Sequence, residues 1–363
     1  MLYGAIFPGR YLQGQNALLE LPREILRFGN KGFLVCSRTV KKNIIPAIKD
    51  KIFNAVDCEI EEFGGETTDN EIKRLTEIAD KNSCDVIAGI GGGKTIDTAK
   101  AVAHNLGLPV IIAPTIASTD APTSAISVIY NEDGVFQRVL VLKKNPDSVI
   151  VDTSVIIQAP VRFLVAGMGD ALATYYEAES CRQKCAKNFA GYNGLLTAYA
   201  VAELCYKTLL NYGTLAILSA ESKVISPAFE HIVEANTLLS GIGFESCGIA
   251  AAHSIHNGFT ALPQTRNYYH GEKVAFGTLA SLFLTDKPKK IIDEVYDFCK
   301  NVGLPVCLEQ LGLKNISDYD IMKVAEKSCA AGEYIVNEPV SPTPHTVFAA
   351  VKLADAYGRK ILS

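Results

Sequence analysis

Gly89-Ile90-Gly91-Gly92-Gly93-Lys94-Thr95-Ile96-Asp97 separates an apolar run, Asp85 to Ile90, from a stretch with helical spacing, Thr95 to Leu106. The glycines therefore fall where a strand hands over to a helix. Glycines at that point let backbone N–H groups approach an anion without a Cβ in the way, and the helix start adds its positive dipole end. Lys94 supplies a formal charge. The spacing is neither the G-x-G-x-x-G dinucleotide fingerprint nor the G-x-x-x-x-G-K-[ST] phosphate loop, so a tight strand-to-helix turn explains the same residues.

Upstream, the pattern alternates. Extended residues at Tyr11 to Gly14 lead to a helical stretch, Asn16 to Phe28, then a short apolar strand, Lys31 to Cys36. A helix from Val40 to Ile52, a strand from Ala55 to Glu62 and a helix from Asp69 to Asn82 precede the glycine stretch, and a strand from Pro109 to Ala113 follows it. This rhythm predicts a parallel, Rossmann-like sheet covered by helices, with ligands at the carboxyl ends of its strands. A hydroxyl-rich loop, Pro114 to Ser124, comes next at the same end of the sheet, followed by hairpin-like strands, Ala125 to Tyr130 and Val135 to Leu142. Its small polar residues suit phosphate, ribose or a polyol, and equally an ordinary capped turn. After a strand at Ser148 to Val151 the pattern changes at Pro160, and helical periodicity runs to Ser363. The expected organisation is a dinucleotide-binding α/β domain over 1–158 and an all-α metal-binding and substrate domain over 159–363.

Composition narrows the function. With 363 residues, 48% hydrophobic and 20% charged, the chain reads as an ordinary globular protein with room for two cores. A formal charge of -4 offers no basic field for nucleic acid or an anionic membrane. No apolar run reaches the roughly 18 residues of a span, and Met1 to Ala5 has no signal-peptide character, so a cytoplasmic protein is expected. The ten cysteines are scattered through apolar contexts and read as reduced, mostly buried thiols. Only Cys181 and Cys185 are spaced like metal ligands, and without a second pair a shared helix face accounts for them.

The helical half holds the other chemistry. Gly167-Met168-Gly169-Asp170 is expected to open a helix, with Asp170 in its first turn, where a cap would also stand. Ala250-Ala251-Ala252-His253-Ser254-Ile255-His256 places two histidines on one helix face, and His270 heads the next helix. Three of the chain's six histidines thus fall within 18 residues. One carboxylate and two imidazoles make a catalytic zinc or ferrous site in ligand type and number, while packed core histidines are the plainer reading.

Taken together, Gly91 to Lys100, Pro114 to Tyr130, Gly167 to Glu177, Glu234 to Gly241, Ala250 to Gly258, His270 to Lys273 and Glu338-Pro339 resemble the glycerol dehydrogenases of the iron-containing (type III) alcohol dehydrogenase superfamily, related in fold to dehydroquinate synthase. The resemblance runs essentially end to end. It implies an active site in the cleft between the two domains, with Asp170, His253 and His270 on zinc, ferrous iron suiting the same ligands. His256 would face the same cavity, behind a ligand or relaying a proton. Gly91, Gly92, Gly93 and Lys94 would hold the pyrophosphate of NAD or NADP, and Thr115, Ser118, Ser124, Ile126 and Tyr130 would line the cofactor path. Asp120 would receive a glycerol hydroxyl, and the product would be dihydroxyacetone. The alternatives are another vicinal diol, a hydroxy acid or a 2-oxo acid on the same metal, or a nucleotide-binding module without turnover. Members of the family form homo-oligomers, often octamers, and the same is implied here.

One position departs from the family's pattern. Ser37 stands where an aspartate normally accepts from the adenine ribose, and Arg38 follows it. An aspartate there repels a 2′-phosphate, whereas serine and arginine do not, so two readings stand: relaxed cofactor choice with NADP accepted or preferred, or an Arg38 that points to solvent with NAD remaining the cofactor.

Overall fold

A computed structural model describes residues 1–363, the side chain of Phe53 excepted. The chain divides into two compact units: Phe7–Ala159 with Lys223–Ile225, and Met1–Ile6 with Pro160–Ser222 and Ser226–Ser363.

The first unit is built on eight strands: β1 Tyr11–Gly14, β2 Lys31–Cys36, β3 Asp57–Glu62, β4 Val86–Gly91, β5 Val110–Pro114, β6 Ile126–Tyr130, β7 Phe136–Val141 and β8 Ser148–Asp152. Six of them form one parallel sheet in the order β1-β8-β5-β4-β2-β3, and β6 and β7 form an antiparallel hairpin. Its helices are α1 Leu21–Ile25, α2 Ile45–Phe53, α3 Asp69–Lys81, α4 Gly93–Leu106 and α5 Thr153–Ile156. The expected helix over 16–28 is broken: Ala17–Glu20 is a 3-10 turn, and the short α1 starts around Pro22, whose fixed φ and missing N–H favour a first turn.

Strand residues alternate between two cores, as the two-residue period requires. Phe33, Val35, Ile87 and Ile112 face Ile72, Leu75, Ile96 and Val102 of α3 and α4. Leu34, Cys36, Val86, Ile90 and Ile111 face Leu21, Ile25, Ile45 and Ile52 around α1 and α2. Both faces are therefore dry, which is why β4 and β8 read as unbroken apolar runs. After β2 the chain steps outward to β3, then returns past β2 to β4, so the direction of winding reverses between β2 and β4. Their carboxyl ends are tied directly, since Ser37 N–H donates to the Ile90 carbonyl at 3.1 Å.

The second unit is helical: α6 Val161–Lys184, α7 Leu196–Glu221, α8 Pro227–Glu234, α9 Ser240–Cys247, α10 Ala251–Phe259, α11 His270–Leu284, α12 Lys289–Val302, α13 Asp318–Ser328 and α14 Pro344–Leu362. The Gly167 to Asp170 stretch does not open a helix. Helix α6 starts nine residues earlier than Asp170, after Pro160, and Asp170 lies in its buried middle. Gly169 is there for packing, because a Cβ on it would lie 2.4 Å from the Gly271 carbonyl oxygen, on α11. Ten free cysteines are distributed over the two units, Cys181 buried and Cys185 exposed.

A buried lysine organises the loop after β5. Lys100 of α4 donates to the carbonyls of Ala121 (2.6 Å) and Ile126 (2.9 Å), to Ser124 Oγ (3.1 Å) and to Asp97 Oδ1 (3.2 Å). Burial pushes the Asp97 carboxyl above its ordinary value, while the Lys100 charge and the Val128 N–H oppose that rise. Replacing Lys100 with Met removes the charge facing the Asp97 carboxylate and the donor shared by Ser124 Oγ and the Ile126 carbonyl, so a loss of about 3 to 5 kcal/mol is expected from denaturant unfolding.

Candidate functional site

Nucleotide-type chemistry collects at the carboxyl ends of β2, β4 and β5. Gly91 closes β4, Gly92 precedes α4, and Gly93 is its first residue. A Cβ on Gly91 would meet Thr95 at 2.7 Å, whereas one on Gly93 would meet nothing within 4 Å, so the backbone at the helix start faces open space. No side chain caps α4, and the first N–H groups of a helix without a cap are anion donors. Thr115 N–H bonds the Gly91 carbonyl at 3.0 Å, which sets Thr115 beside the glycines, and Ser37 lies half-buried after β2 with Arg38 exposed next to it.

Lys94 is engaged rather than free. Its Nζ is 2.5 Å from Glu66 Oε2 and 5.0 Å from the centre of the Tyr130 ring. Ser124 is buried with its hydroxyl between Lys100 and the Ala121 carbonyl, and Ile126 is half-buried with its carbonyl on Lys100. Ser118 and Asp120 are half-buried in the same loop, where the Asp120 carbonyl accepts from the Thr123 N–H and hydroxyl.

The helical unit brings Asp170, His253 and His270 together, with one ligand atom from each lying within 4.8 Å of the others. Asp170 Oδ1 is 3.1 Å from His270 Nε2 and 3.6 Å from His253 Nε2. The other nitrogen of each ring is held by protein. His253 Nδ1 is 2.6 Å from Glu177 Oε2, and His270 Nδ1 is 3.1 Å from His256 Nε2. A carboxylate takes the Nδ1 proton of His253 and thereby leaves Nε2 as a lone pair, the arrangement found behind metal-bound histidines.

Electrostatics point the same way. Burial opposes ionisation of Asp170, yet His270 and His253 hold its carboxyl well below the usual range. Burial likewise opposes a charged His253, but Glu177 and Asp170 hold its pKa well above the ordinary imidazole value. A pocket that favours positive charge between one carboxylate and two imidazoles fits a divalent cation of the zinc or ferrous type. His256 is different: burial, then the neighbouring His270 and Lys273, push it well below its ordinary value, so it is neutral.

These geometries match a known family. A profile of the iron-containing alcohol dehydrogenases matches residues 8–153. A glycerol dehydrogenase of Thermotoga maritima is 58% identical over 359 residues, covering 99% of this chain and 98% of that protein. The chain belongs to the iron-containing alcohol dehydrogenase family. The crystal structure of glycerol dehydrogenase from Schizosaccharomyces pombe superposes with a TM-score of 0.94 at 38% identity, over 99% of this chain and 92% of that one. That of a probable glycerol dehydrogenase from Sinorhizobium meliloti gives 0.93 at 41% identity, over 99% and 100%. The expected fold class, a parallel sheet followed by a helical remainder, is the family's, and this member is an alcohol dehydrogenase. Among the described residues no helix is long and apolar enough to cross a membrane.

Sequence reading passed over several residues that build the site. Glu177 was legible in principle, since it lies seven positions after Asp170 and so shares its helix face. Its Oε1 also accepts from the N–H groups of Ala250 and His253, capping α10. Glu338 joins it, accepting from Ala251 N–H at 2.9 Å and from Ser180 Oγ at 2.6 Å. Asn257 and Glu333 stand behind His256.

Burial pushes the Glu338 carboxyl up to about 7, with Glu177 adding to the rise and Ser180, Ala251 and Lys287 opposing it. Between the unfolded carboxylate value and about 7 the folded chain binds the extra proton, so this group's stabilisation is complete at low pH and fades as pH rises through that window. The shift corresponds to about 3 kcal/mol. Glu338→Gln can keep both hydrogen bonds without titrating, and chemical denaturation from pH 5 to 8 is expected to show a flatter stability profile than wild type.

Proposed function

We propose that this protein oxidises glycerol to dihydroxyacetone, passing hydride to a nicotinamide dinucleotide with release of one proton. The observation that carries the reading is the Asp170, His253 and His270 cluster with both imidazoles presenting Nε2, in a chain so close to glycerol dehydrogenases over its full length. When bound there, a divalent cation polarises an alcohol oxygen and brings its hydroxyl within reach of deprotonation near neutral pH. We assign zinc to that position, the carboxylate and two imidazoles matching a catalytic zinc set and suiting ferrous iron as well.

The chain's own groups do the rest. Asp170 offsets the charge of the cation, and Glu177 keeps His253 in register. Asp120 accepts from a further hydroxyl of the substrate, which favours a polyol and disfavours anionic hydroxy acids and 2-oxo acids. Open N–H groups at the start of α4 receive the dinucleotide's pyrophosphate, with Lys94 beside it and Thr115, Ser118, Ser124, Ile126 and Tyr130 along the path. Both nitrogens of His256 are occupied by protein, which supports its place behind a ligand rather than as a proton relay. Ser37 and Arg38 extend the reading to NADP as well as NAD. A cytoplasmic homo-oligomer completes it, supported by the exposed Leu196, Leu204, Leu215 and Leu218 of α7.

Nicotinamide reduction with glycerol, run with NAD and NADP side by side, tests this. The rate is expected to vanish on chelation, return with zinc, and fall by more than about 100-fold in His253→Ala. Absence of any rate with either nucleotide and zinc-loaded protein overturns the substrate assignment. Ser37→Asp is expected to weaken NADP use selectively; an unchanged ratio of kcat/KM for the two nucleotides removes Ser37 from that choice.

A further inference from the structure

A chain of hydrogen bonds runs back from the ligand cluster to a residue far along the sequence. His270 Nδ1 is 3.1 Å from His256 Nε2, and His256 Nδ1 is 3.1 Å from Asn257 Oδ1. Asn257 Nδ2 in turn donates to both Glu333 oxygens, at 3.2 and 3.0 Å. All four residues belong to the helical unit. The chain has a direction, and Glu333 sets it.

A carboxylate only accepts, so Glu333 draws the NH2 of Asn257 and leaves the amide oxygen toward His256. That oxygen also only accepts, so the His256 nitrogen facing it, Nδ1, is the donor, and a ring carrying one proton carries it there. His256 Nε2 is then a lone pair and takes the Nδ1 proton of His270. The last link fixes His270 Nε2, which lies beside Asp170 Oδ1, as the free lone pair. Running the chain backwards would turn the Asn257 oxygen against the Glu333 carboxylate, two acceptors about 3 Å apart, a repulsive arrangement.

We propose that Glu333 is a positioning residue for the metal centre: through Asn257 and His256 it holds His270 in the tautomer whose Nε2 can bind a divalent cation. Glu177 does this directly for His253, and Glu333 does it at two removes for His270. The inference rests on the metal site proposed above. It adds that a half-buried acidic residue, in the loop after α13 and bonded to Asn257 rather than to any of the three ligand residues, governs metal affinity.

The test uses two substitutions with opposite hydrogen-bonding character. Glu333→Gln can still offer Asn257 a carbonyl oxygen. Glu333→Lys offers only donors, which turns the Asn257 amide around, puts its NH2 against His256 Nδ1 and moves the proton of His270 onto Nε2. Metal-stripped full-length protein is titrated with zinc against a chromogenic chelator, and with cobalt(II) to read ligand geometry from its visible absorption. Glu333→Lys is expected to weaken zinc by about 10- to 100-fold and alter the cobalt spectrum, with Glu333→Gln close to wild type in both. Zinc binding by Glu333→Lys as tight as wild type overturns the proposal, and so does a Glu333→Gln as weak as Glu333→Lys, because loss without rescue marks a merely structural contact. Wild-type protein and His253→Ala binding zinc alike would remove the metal centre itself, and the proposed function with it.

Discussion

The close approach of α11 to its neighbours is the constraint on which the helical unit depends. A Cβ on Gly271 would stand 1.8 Å from the Ala166 carbonyl oxygen of α6, and one on Gly277 would stand 2.3 Å from the Ala252 carbonyl oxygen of α10. Backbone therefore touches backbone on both sides of α11. Any side chain at these positions would push the helices apart, and Asp170 comes from α6, His253 from α10 and His270 from α11. Ligand atoms that must agree to a few tenths of an ångström cannot survive such a shift. The alanines at 166, 171, 173, 250, 251, 252, 275 and 280, all buried, follow from the same need for short interaxial distances.

Close packing of this kind traps polar groups, and the unit answers with buried carboxylates. The start of α10 is a row of N–H groups with no acceptor in its own helix, lying inside the protein rather than at its surface. Glu177 and Glu338 cap it together, one taking Ala250 and His253, the other Ala251. Two ionised carboxylates there would repel each other, and the raised value of Glu338 relieves this by letting it share its site as a neutral acid. Glu177 keeps its second oxygen, Oε2, for His253 Nδ1. Helix capping and ligand orientation are thus one interaction, so weakening the cap would also loosen the ligand.

Much of this was legible in the chain, for reasons that are physical. The βα rhythm showed because a parallel sheet covered on both faces demands apolar runs between amphipathic helices. The glycine stretch showed as a strand-to-helix turn because a tight handover between β4 and α4 leaves few residue choices. Asp170 reads as part of a helix start because Gly167 and Gly169 look like punctuation, when the purpose of Gly169 lies on a helix 102 residues away, at Gly271. Tertiary contact had overridden local propensity. The same limit hid Glu333, whose partner Asn257 is 76 positions distant and whose local sequence carries no period. Lys100 sat in plain view within the glycine motif, but its four acceptors come from its own helix and from a loop that only folding brings near.

The two units solve a common problem in different materials. Among the five helices of the α/β unit, α3 and α5 begin with side-chain caps, from Thr68 and Asp152, and α1 and α2 begin with proline; α4 has neither. Its leading N–H groups are the donors left over for an anion. In the helical unit Glu177 and His256 occupy the inner nitrogens of two imidazoles, so that their outer lone pairs are left over for a cation. Unmet hydrogen-bonding capacity is costly where nothing arrives to meet it. The start of α4 and the two Nε2 atoms beside Asp170 are two places where such capacity collects.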